Sequence, residues 1–98
     1  MKAMDELKEI HAQSRPRLPR GVRLKRDEAR KRWTLLAPER IFEIDDTAAT
    51  VLELCDGERD LAGIVAVLAE RYTAPPAVIE KDVVAMLADL RNKRVLET

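Results

Sequence analysis

The chain has 98 residues, of which 46% are hydrophobic and 37% charged, and its 18 Lys/Arg balance its 18 Asp/Glu. This composition excludes a disordered chain, no apolar run is long enough to cross a membrane, and the length favours one domain with a modest core. The single cysteine excludes an internal disulfide, and the first ten residues lack the apolar region of a secretory signal. We therefore expect a cytoplasmic protein.

Charge is distributed unevenly along the chain. Residues 1–33 contain 11 Lys/Arg and 5 Asp/Glu, whereas residues 34–98 contain 7 and 13. The basic residues that cluster after position 14 are Arg15, Arg17, Arg20, Arg23, Lys25 and Arg26. Such a cluster is typical of a solvated tail and strand face, and it also occurs in nucleic-acid contacts. No aromatic residue lies between these side chains, so stacking on single-stranded nucleic acid has no support.

Residues 1–14 have only a partial apolar stripe, typical of a weak helix or a linker, and Pro16 and Pro19 end any helix there. We predict a flexible arm or linker over 1–14, whose function would be tethering or partner docking, and a folded domain over 15–98. His11 has no second ligand or nucleophile nearby in sequence, so it is interpreted as a solvent-exposed bystander.

The segment from Gly21 to Ala37 alternates apolar and polar residues around a polar turn, which predicts a β-hairpin. Trp33 in its second strand is interpreted as a core residue, with a ligand-stacking platform as the alternative. After the break at Pro38, Arg40 to Ile44 predicts a third short strand. Phe42 and Ile44 then share one face, Ile41 and Glu43 share the other, and one strand edge stays unpaired.

Three helices are predicted after the strands. Asp45 and Asp46 can cap the first, which would end at Asp56-Gly57, and Asp60 can cap the second. The apolar positions predicted for these two helices are Ala48, Val51, Leu52 and Cys55, then Leu61, Ile64, Val65, Leu68 and Tyr72. The third runs from about Ala77 to Asn92. The fold class is therefore α+β: a small three-stranded antiparallel sheet followed by a three-helix bundle, similar to a winged helix-turn-helix.

The last helix has two distinct apolar features. Its core stripe is Ile79, Val83, Met86, Leu87 and Leu90. Val84 lies off that stripe beside Ala77, Ala88 and Arg91, a small-residue flank that is either a binding groove or an ordinary surface.

The sequence contains no catalytic motif, phosphate-binding glycine loop or paired metal ligands. The adjacent acids Asp45 and Asp46 fit a helix cap better than an acid pair. Cys55 lies on an apolar helix face with no identifiable base beside it, so it fits a buried thiol better than a nucleophile. We therefore predict a non-enzyme with no cofactor and no metal.

Several segments, in their order and spacing, resemble the PqqD family, the small peptide chaperone of pyrroloquinoline quinone biosynthesis. They are RPRLPRGVRL, RWTLLAPER, IFEIDDTAATVLELCDG, LAGIVAVLAERY and DVVAMLADLR, and the resemblance covers residues 15–97. Residues 1–14 lie outside it and resemble a linker remnant, because some family members are fused to the preceding enzyme of the pathway. One departure is Arg94, where the family commonly has a glycine before the last strand.

The resemblance implies a non-catalytic protein that binds a ribosomally made precursor peptide and presents it to the radical SAM enzyme that cross-links it. It also implies that the peptide adds as a strand to the third strand, next to the last helix. The implied peptide-binding residues are Arg40, Ile41, Phe42, Glu43, Ile44, Lys81, Val84, Ala88 and Arg91. We expect a monomer or weak dimer that binds neither nucleic acid nor membrane.

Two other classes of protein remain as alternatives. A winged-helix DNA-binding protein would use the basic N-terminal third, and its affinity would fall steeply with salt. A structural dimer would form by edge-to-edge strand pairing or by exchange of the arm.

Overall fold

The computed structural model describes residues 9–98, so most of the predicted arm lies outside the described residues. An antiparallel sheet of order β1-β2-β3 is followed by three helices, which confirms the predicted α+β fold. The elements are β1 (Arg23–Asp27), β2 (Arg32–Ala37), β3 (Arg40–Ile44), α1 (Asp46–Glu53), α2 (Leu61–Tyr72) and α3 (Pro76–Asn92). Within residues 9–98 the longest helix has 17 residues, and none is long and apolar enough to cross a membrane.

The sheet packs one face on the helices through its central strand. Leu35 of β2 is fully buried and pairs with Leu24 on one side and Phe42 on the other. Because side chains alternate along a strand, this row fixes which face of each strand is inward. Trp33 lies on the same face, but it is only half-buried, under the guanidinium of Arg26 at 5.6 Å from the ring centre.

The predicted N-caps of α1 and α2 are confirmed. Asp45 accepts a hydrogen bond from the Ala48 amide at 2.7 Å, and Asp60 accepts one from the Gly63 amide at 2.8 Å. Each carboxylate satisfies a backbone donor that has no partner within its helix and lies at the positive end of the helix dipole.

Three expectations for the helices were wrong in detail. Helix α1 ends at Glu53 rather than at Asp56-Gly57, because the Leu54 amide already bonds the Val51 carbonyl in a tighter turn. Ala49 is buried in α1, whereas Ala48 is half-exposed. Tyr72 closes α2, where the helix leaves the bundle, and its side chain is 44% exposed.

A single core fills the space between the sheet and the helices. Its buried members are Leu35, Val51, Leu52, Leu54, Cys55, Leu61, Ile64, Val65, Leu68, Val83, Leu87, Leu90, Val95 and Leu96. The last two show that the C-terminal tail packs back onto the bundle.

Residues 10–18, which we call the N-terminal strap, belong to the folded domain. The carbonyls of Ala12 and Ser14 accept hydrogen bonds from the Ala62 and Leu61 amides, the first two of α2. Ser14 and Pro16 are buried. Long-range backbone bonds therefore hold residues 12 and 14 on α2, on the N-terminal side of the predicted boundary between residues 14 and 15.

The strap also joins distant parts of the chain. Arg17 and Glu97 exchange two backbone hydrogen bonds of 2.9 Å each, and the Gly57 amide donates to the Pro16 carbonyl at 3.0 Å. Gly57 has φ +80°, a left-handed conformation that favours glycine.

Asp56 holds the turn that leads to α2. Its carboxylate accepts the amides of Arg59 and Glu58, each at 2.9 Å, and contacts the Arg59 guanidinium at 3.0 Å. These bonds, the one from the Arg59 amide foremost, lower the pKa of Asp56 because they favour its charged form.

Helix α3 ends in a Schellman motif. The Arg94 amide bonds the Arg91 carbonyl at 2.9 Å, and the Val95 amide bonds the Leu90 carbonyl at 3.1 Å. Arg94 itself has φ 63°, the left-handed conformation that favours glycine. Arg94 therefore holds a backbone conformation in which glycine would be less strained.

We expect Arg94→Gly to stabilise the domain by about 1 kcal/mol, because it removes the cost of holding a side chain in this conformation. The matched control is Ala85→Gly, at an exposed position inside α3, which should destabilise by about 1 kcal/mol. Urea unfolding measures both free energies. Destabilisation by Arg94→Gly would contradict the assigned backbone conformation.

Candidate functional site

The sheet of the described residues has two edges, and their chemistry differs. Strand β1 has the sequence RLKRD, in which four of five residues are charged, as is common at edges protected from pairing. Strand β3 has the sequence RIFEI, with three apolar residues. Among residues 9–98 it pairs with β2 alone. Every second residue of β3 therefore directs its backbone N–H and C=O away from the sheet.

The two faces of β3 are as predicted. Ile41 is 71% exposed on the outer face, whereas Phe42 and Ile44 are partly buried against the core. A single exposed apolar residue is common on protein surfaces, so Ile41 is of interest here because it lies on the strand that forms the open edge.

On the inner side a groove separates β3 from α3. We call it the β3–α3 groove; its volume is about 250 Å³. Its residues are Phe42, Glu43, Ile44, Asp45, Ala48, Met86, Asp89, Leu90 and Lys93. The floor is apolar and the rims are charged, a combination suited to an extended peptide.

Cations surround the one aromatic ring in this groove. The Arg40 guanidinium lies 5.4 Å from the centre of the Phe42 ring, and the Lys93 ammonium lies 6.0 Å from it. Lys93 also pairs with Asp89 at 2.8 Å. These groups are exposed, so their mutual interactions are weak and can be exchanged for contacts with a ligand.

On the outer face of the sheet lies a second concavity, of about 500 Å³. Ile41 and Leu36 form its apolar part, and Arg32 and Glu43 pair across its floor at 2.7 Å. The open edge of β3 thus lies between two concave surfaces, one on each side of the sheet.

The resemblance places Lys81, Val84, Ala88 and Arg91 beside β3, but the structure does not bring them to the β3–α3 groove. Successive helix residues are turned by about 100°, so these four lie on the opposite side of α3 from Met86, Asp89 and Lys93. Val84 instead packs against the core, and Arg91 donates to the Thr98 hydroxyl at 3.1 Å. Of the predicted β3 residues, Phe42, Glu43 and Ile44 line the groove. Arg40 and Ile41 lie next to it on the same strand.

The sequence interpretation missed Met86, Asp89 and Lys93. Met86 was assigned to the core stripe alone, although it is only half-buried. A signal was available in the spacing of Met86, Asp89 and Lys93 at i, i+3 and i+7, which places them on one helix face.

The described residues offer little for catalysis. Burial, with the Asp56 charge adding to it, raises the pKa of the Cys55 thiol to about 12, so the nucleophilic thiolate is disfavoured. His11 is exposed, and its ring accepts the Gln13 amide at 3.3 Å. Within residues 9–98 no three His, Cys, Asp or Glu side chains come together as a metal site.

Comparison with known families identifies the family of this chain. The family model described as "Coenzyme PQQ synthesis protein D (PqqD)" matches residues 32–96. The chain belongs to the PqqD family. A relative from Rhodopseudomonas palustris (strain TIE-1), named "PqqA binding protein", is 58% identical over 83 residues, which are 85% of this chain and 81% of the relative.

Another family member is part of a longer protein. The "Bifunctional coenzyme PQQ synthesis protein C/D" of Methylorubrum extorquens is 55% identical over 82 residues, which are 84% of this chain but 22% of that protein. The chain therefore matches about one fifth of that relative.

Two solved structures of PqqD proteins have the same fold. The solution structure of the PqqD truncation of Methylobacterium extorquens PqqCD is described as a stand-alone recognition element for ribosomally synthesized, modified peptides. It matches with a TM-score of 0.82 at 49% identity, covering 95% of this chain and 99% of that one. The crystal structure of PqqD from Xanthomonas campestris matches with a TM-score of 0.57 at 44% identity, covering 91% and 99%.

The two faces of β3 should respond differently to truncation. We expect Phe42→Ala to lower the free energy of unfolding by about 3 kcal/mol, because it removes a ring that packs on the core. Ile41→Ala should cost less than about 1 kcal/mol, since that side chain is mostly solvated. Urea unfolding measures both values, and equal losses would contradict the assigned facing of the strand.

Proposed function

We propose that this protein is a non-catalytic chaperone of pyrroloquinoline quinone biosynthesis that binds the precursor peptide, PqqA, by adding it as a strand to β3. The observation that carries the proposal is the open, apolar edge of β3 beside the β3–α3 groove. Membership in the PqqD family and the name of the Rhodopseudomonas relative support the choice of ligand.

Strand addition uses both sides of the sheet. The peptide backbone pairs with the outward N–H and C=O groups of β3, while its alternate side chains enter the groove and the outer concavity beside Ile41. The proposed binding residues are Arg40 to Ile44 together with Met86, Asp89, Leu90 and Lys93. The helix part of this set replaces Lys81, Val84, Ala88 and Arg91, which lie on the other side of α3.

The bound peptide is then presented to the radical SAM enzyme of the pathway, which performs the chemistry. Strand addition leaves the peptide segments beyond β3 in solvent, where an enzyme can reach them. We place this step in the cytoplasm, a reducing compartment with which a single buried thiol is compatible.

The DNA-binding alternative has less support in the structure. In a winged helix-turn-helix the helix that enters the groove of DNA must approach phosphates. Helix α3 carries three acids and two basic residues, and the last 65 residues are net acidic. In the basic segment, Arg17 pairs with Glu97, and Arg26 pairs with Glu28. These two ion pairs partly neutralise the positive charge that contacts with DNA phosphates would use.

We expect Ile41→Asp to weaken binding of labelled precursor peptide about tenfold or more while the domain stays folded, because it removes an apolar contact at the strand edge. The matched control is Val78→Asp. Val78 is another exposed apolar residue, 54% accessible, and it lies outside the groove lining. Fluorescence anisotropy measures the affinities, and circular dichroism checks folding. Equal affinities for the two variants would contradict the assigned edge.

Salt dependence separates the two candidate functions. We expect peptide affinity to change little between 50 and 200 mM salt, because backbone hydrogen bonds and apolar contacts carry it, and we expect no tight duplex binding. A DNA-binding protein with several phosphate contacts would lose affinity by orders of magnitude over about the same range. Tight, salt-sensitive binding of duplex DNA would overturn the proposal.

Hydrogen exchange should locate the peptide directly. In the free protein, amides of the outward residues of β3 should exchange quickly, because this five-residue strand has one pairing partner. Precursor peptide should slow exchange in residues 40–44 and in the facing part of α3, residues 86–93. Protection confined to residues 15–33 would move the site to the basic segment and contradict strand addition.

A further inference from the structure

A second apolar pocket opens at the other end of the same helix face. It lies between α1, the end of α2 and the first half of α3, and its volume is about 190 Å³. Its walls are apolar side chains: Val51, Leu68, Ile79, Val83 and Met86. We call it the helix pocket. Thr47, Tyr72 and Asp82 complete its lining.

The helix pocket is adjacent to the β3–α3 groove. Met86 lines both, and the α1 residues that line them, Ala48 in the groove and Thr47 in the pocket, are neighbours in sequence. On α3, Asp82 of the pocket and Asp89 of the groove lie on either side of Met86 along one helix face. The face from Ile79 to Lys93 is about 21 Å long at 1.5 Å per residue.

The pocket has the size and chemistry of a site for one side chain. An engineered apolar cavity of about 150 Å³ is large enough to bind benzene. Val51, Leu68 and Val83 in the wall are core residues, yet the space between them is open at Tyr72, which is 44% exposed. Filling this space with a hydrocarbon side chain removes apolar surface from water, and of the described residues in the lining Asp82 is the one that carries a charge.

We propose that the helix pocket takes one large apolar side chain of the precursor peptide, of the leucine, isoleucine, methionine or phenylalanine class, from the segment just outside the strand paired with β3. The inference rests on the proposed function and adds an anchor residue to it. The strand gives the peptide its backbone pairing, and the anchor fixes its register, because a shift by one residue would take that side chain out of the pocket.

The first test uses the unmodified protein with methyl-labelled isoleucine and unlabelled precursor peptide. Ile44 lines the groove but not the pocket, and Ile79 lines the pocket but not the groove. Binding should shift the methyl signals of both residues. Shifts at Ile44 without Ile79 would overturn the anchor and leave strand addition intact. No shift at Ile44 would overturn the proposed function itself, and the anchor with it.

The second test blocks the pocket. Thr47 is exposed in the first turn of α1 and lines the pocket, so Thr47→Trp should fill its mouth and weaken peptide binding about 10- to 100-fold. The matched control is Glu53→Trp, an exposed position on the same helix outside the pocket lining, which should bind as the unmodified protein does.

A peptide scan completes this test. Each large apolar residue of the peptide is replaced by alanine, and affinities are measured for the unmodified protein and for Thr47→Trp. One replacement should weaken binding to the unmodified protein about tenfold and have no further effect on the variant. If every replacement has the same effect on both proteins, the pocket holds no anchor. A misfolded Thr47→Trp would show in circular dichroism, and the methyl experiment then decides.

Discussion

Backbone hydrogen bonds of the N-terminal strap hold the start, the middle and the end of this domain together. The carbonyls of Ala12 and Ser14 accept hydrogen bonds from the first two amides of α2, and the backbone of Arg17 pairs with that of Glu97 in the C-terminal tail. A domain of this size buries only a small hydrophobic core. The strap stabilises it in two ways: it accepts hydrogen bonds from helix amides that have no partner within α2, and it buries Pro16. None of these strap hydrogen bonds uses β3, so the edge of that strand remains available to a ligand.

The open edge of β3 carries a risk of unwanted strand pairing, which the short length and the charges of the strand reduce. An open apolar edge favours pairing with any extended chain, including a second copy of the protein. The strand is five residues long, and charged side chains flank its apolar positions. Backbone pairing at this short edge is therefore weak by itself, and a partner binds best when its side chains also fit the neighbouring groove.

Much of the fold could be predicted from the sequence because its determinants are local. Asp45 and Asp60 act as caps on amides three residues ahead, and strand alternation was enough to separate Ile41 from Phe42. The strap could not be predicted, because its bonds join residues more than 40 positions apart and depend on backbone groups that every residue carries. Sequence pattern also does not reveal a left-handed Arg94, since the residue type disfavours that conformation.

The strand part of the predicted site lies at the β3–α3 groove, whereas the helix part lies on another side of α3, and strand and helix patterns differ in how far they predict such a position. Periodicity identifies an apolar stripe on α3, but how that stripe is divided between core and groove depends on how the helix crosses the sheet. Met86 lies at the border of the stripe and serves both the core and the groove. Val84 lies off the stripe and was implied as a contact by the family resemblance, and in the structure it packs against the core.

Because Cys55 is buried, the rate at which its thiol is chemically modified can be used to measure local opening of this domain. The thiol is 5% exposed, and its sulfur lies 3.3 Å from the Val51 carbonyl, at the end of the helix that borders both the groove and the helix pocket. An alkylating reagent needs the thiolate, which forms readily only once this region has opened to solvent. The modification rate therefore reports the equilibrium between closed and open forms of α1, without any engineered label, as long as closing is faster than the chemical reaction.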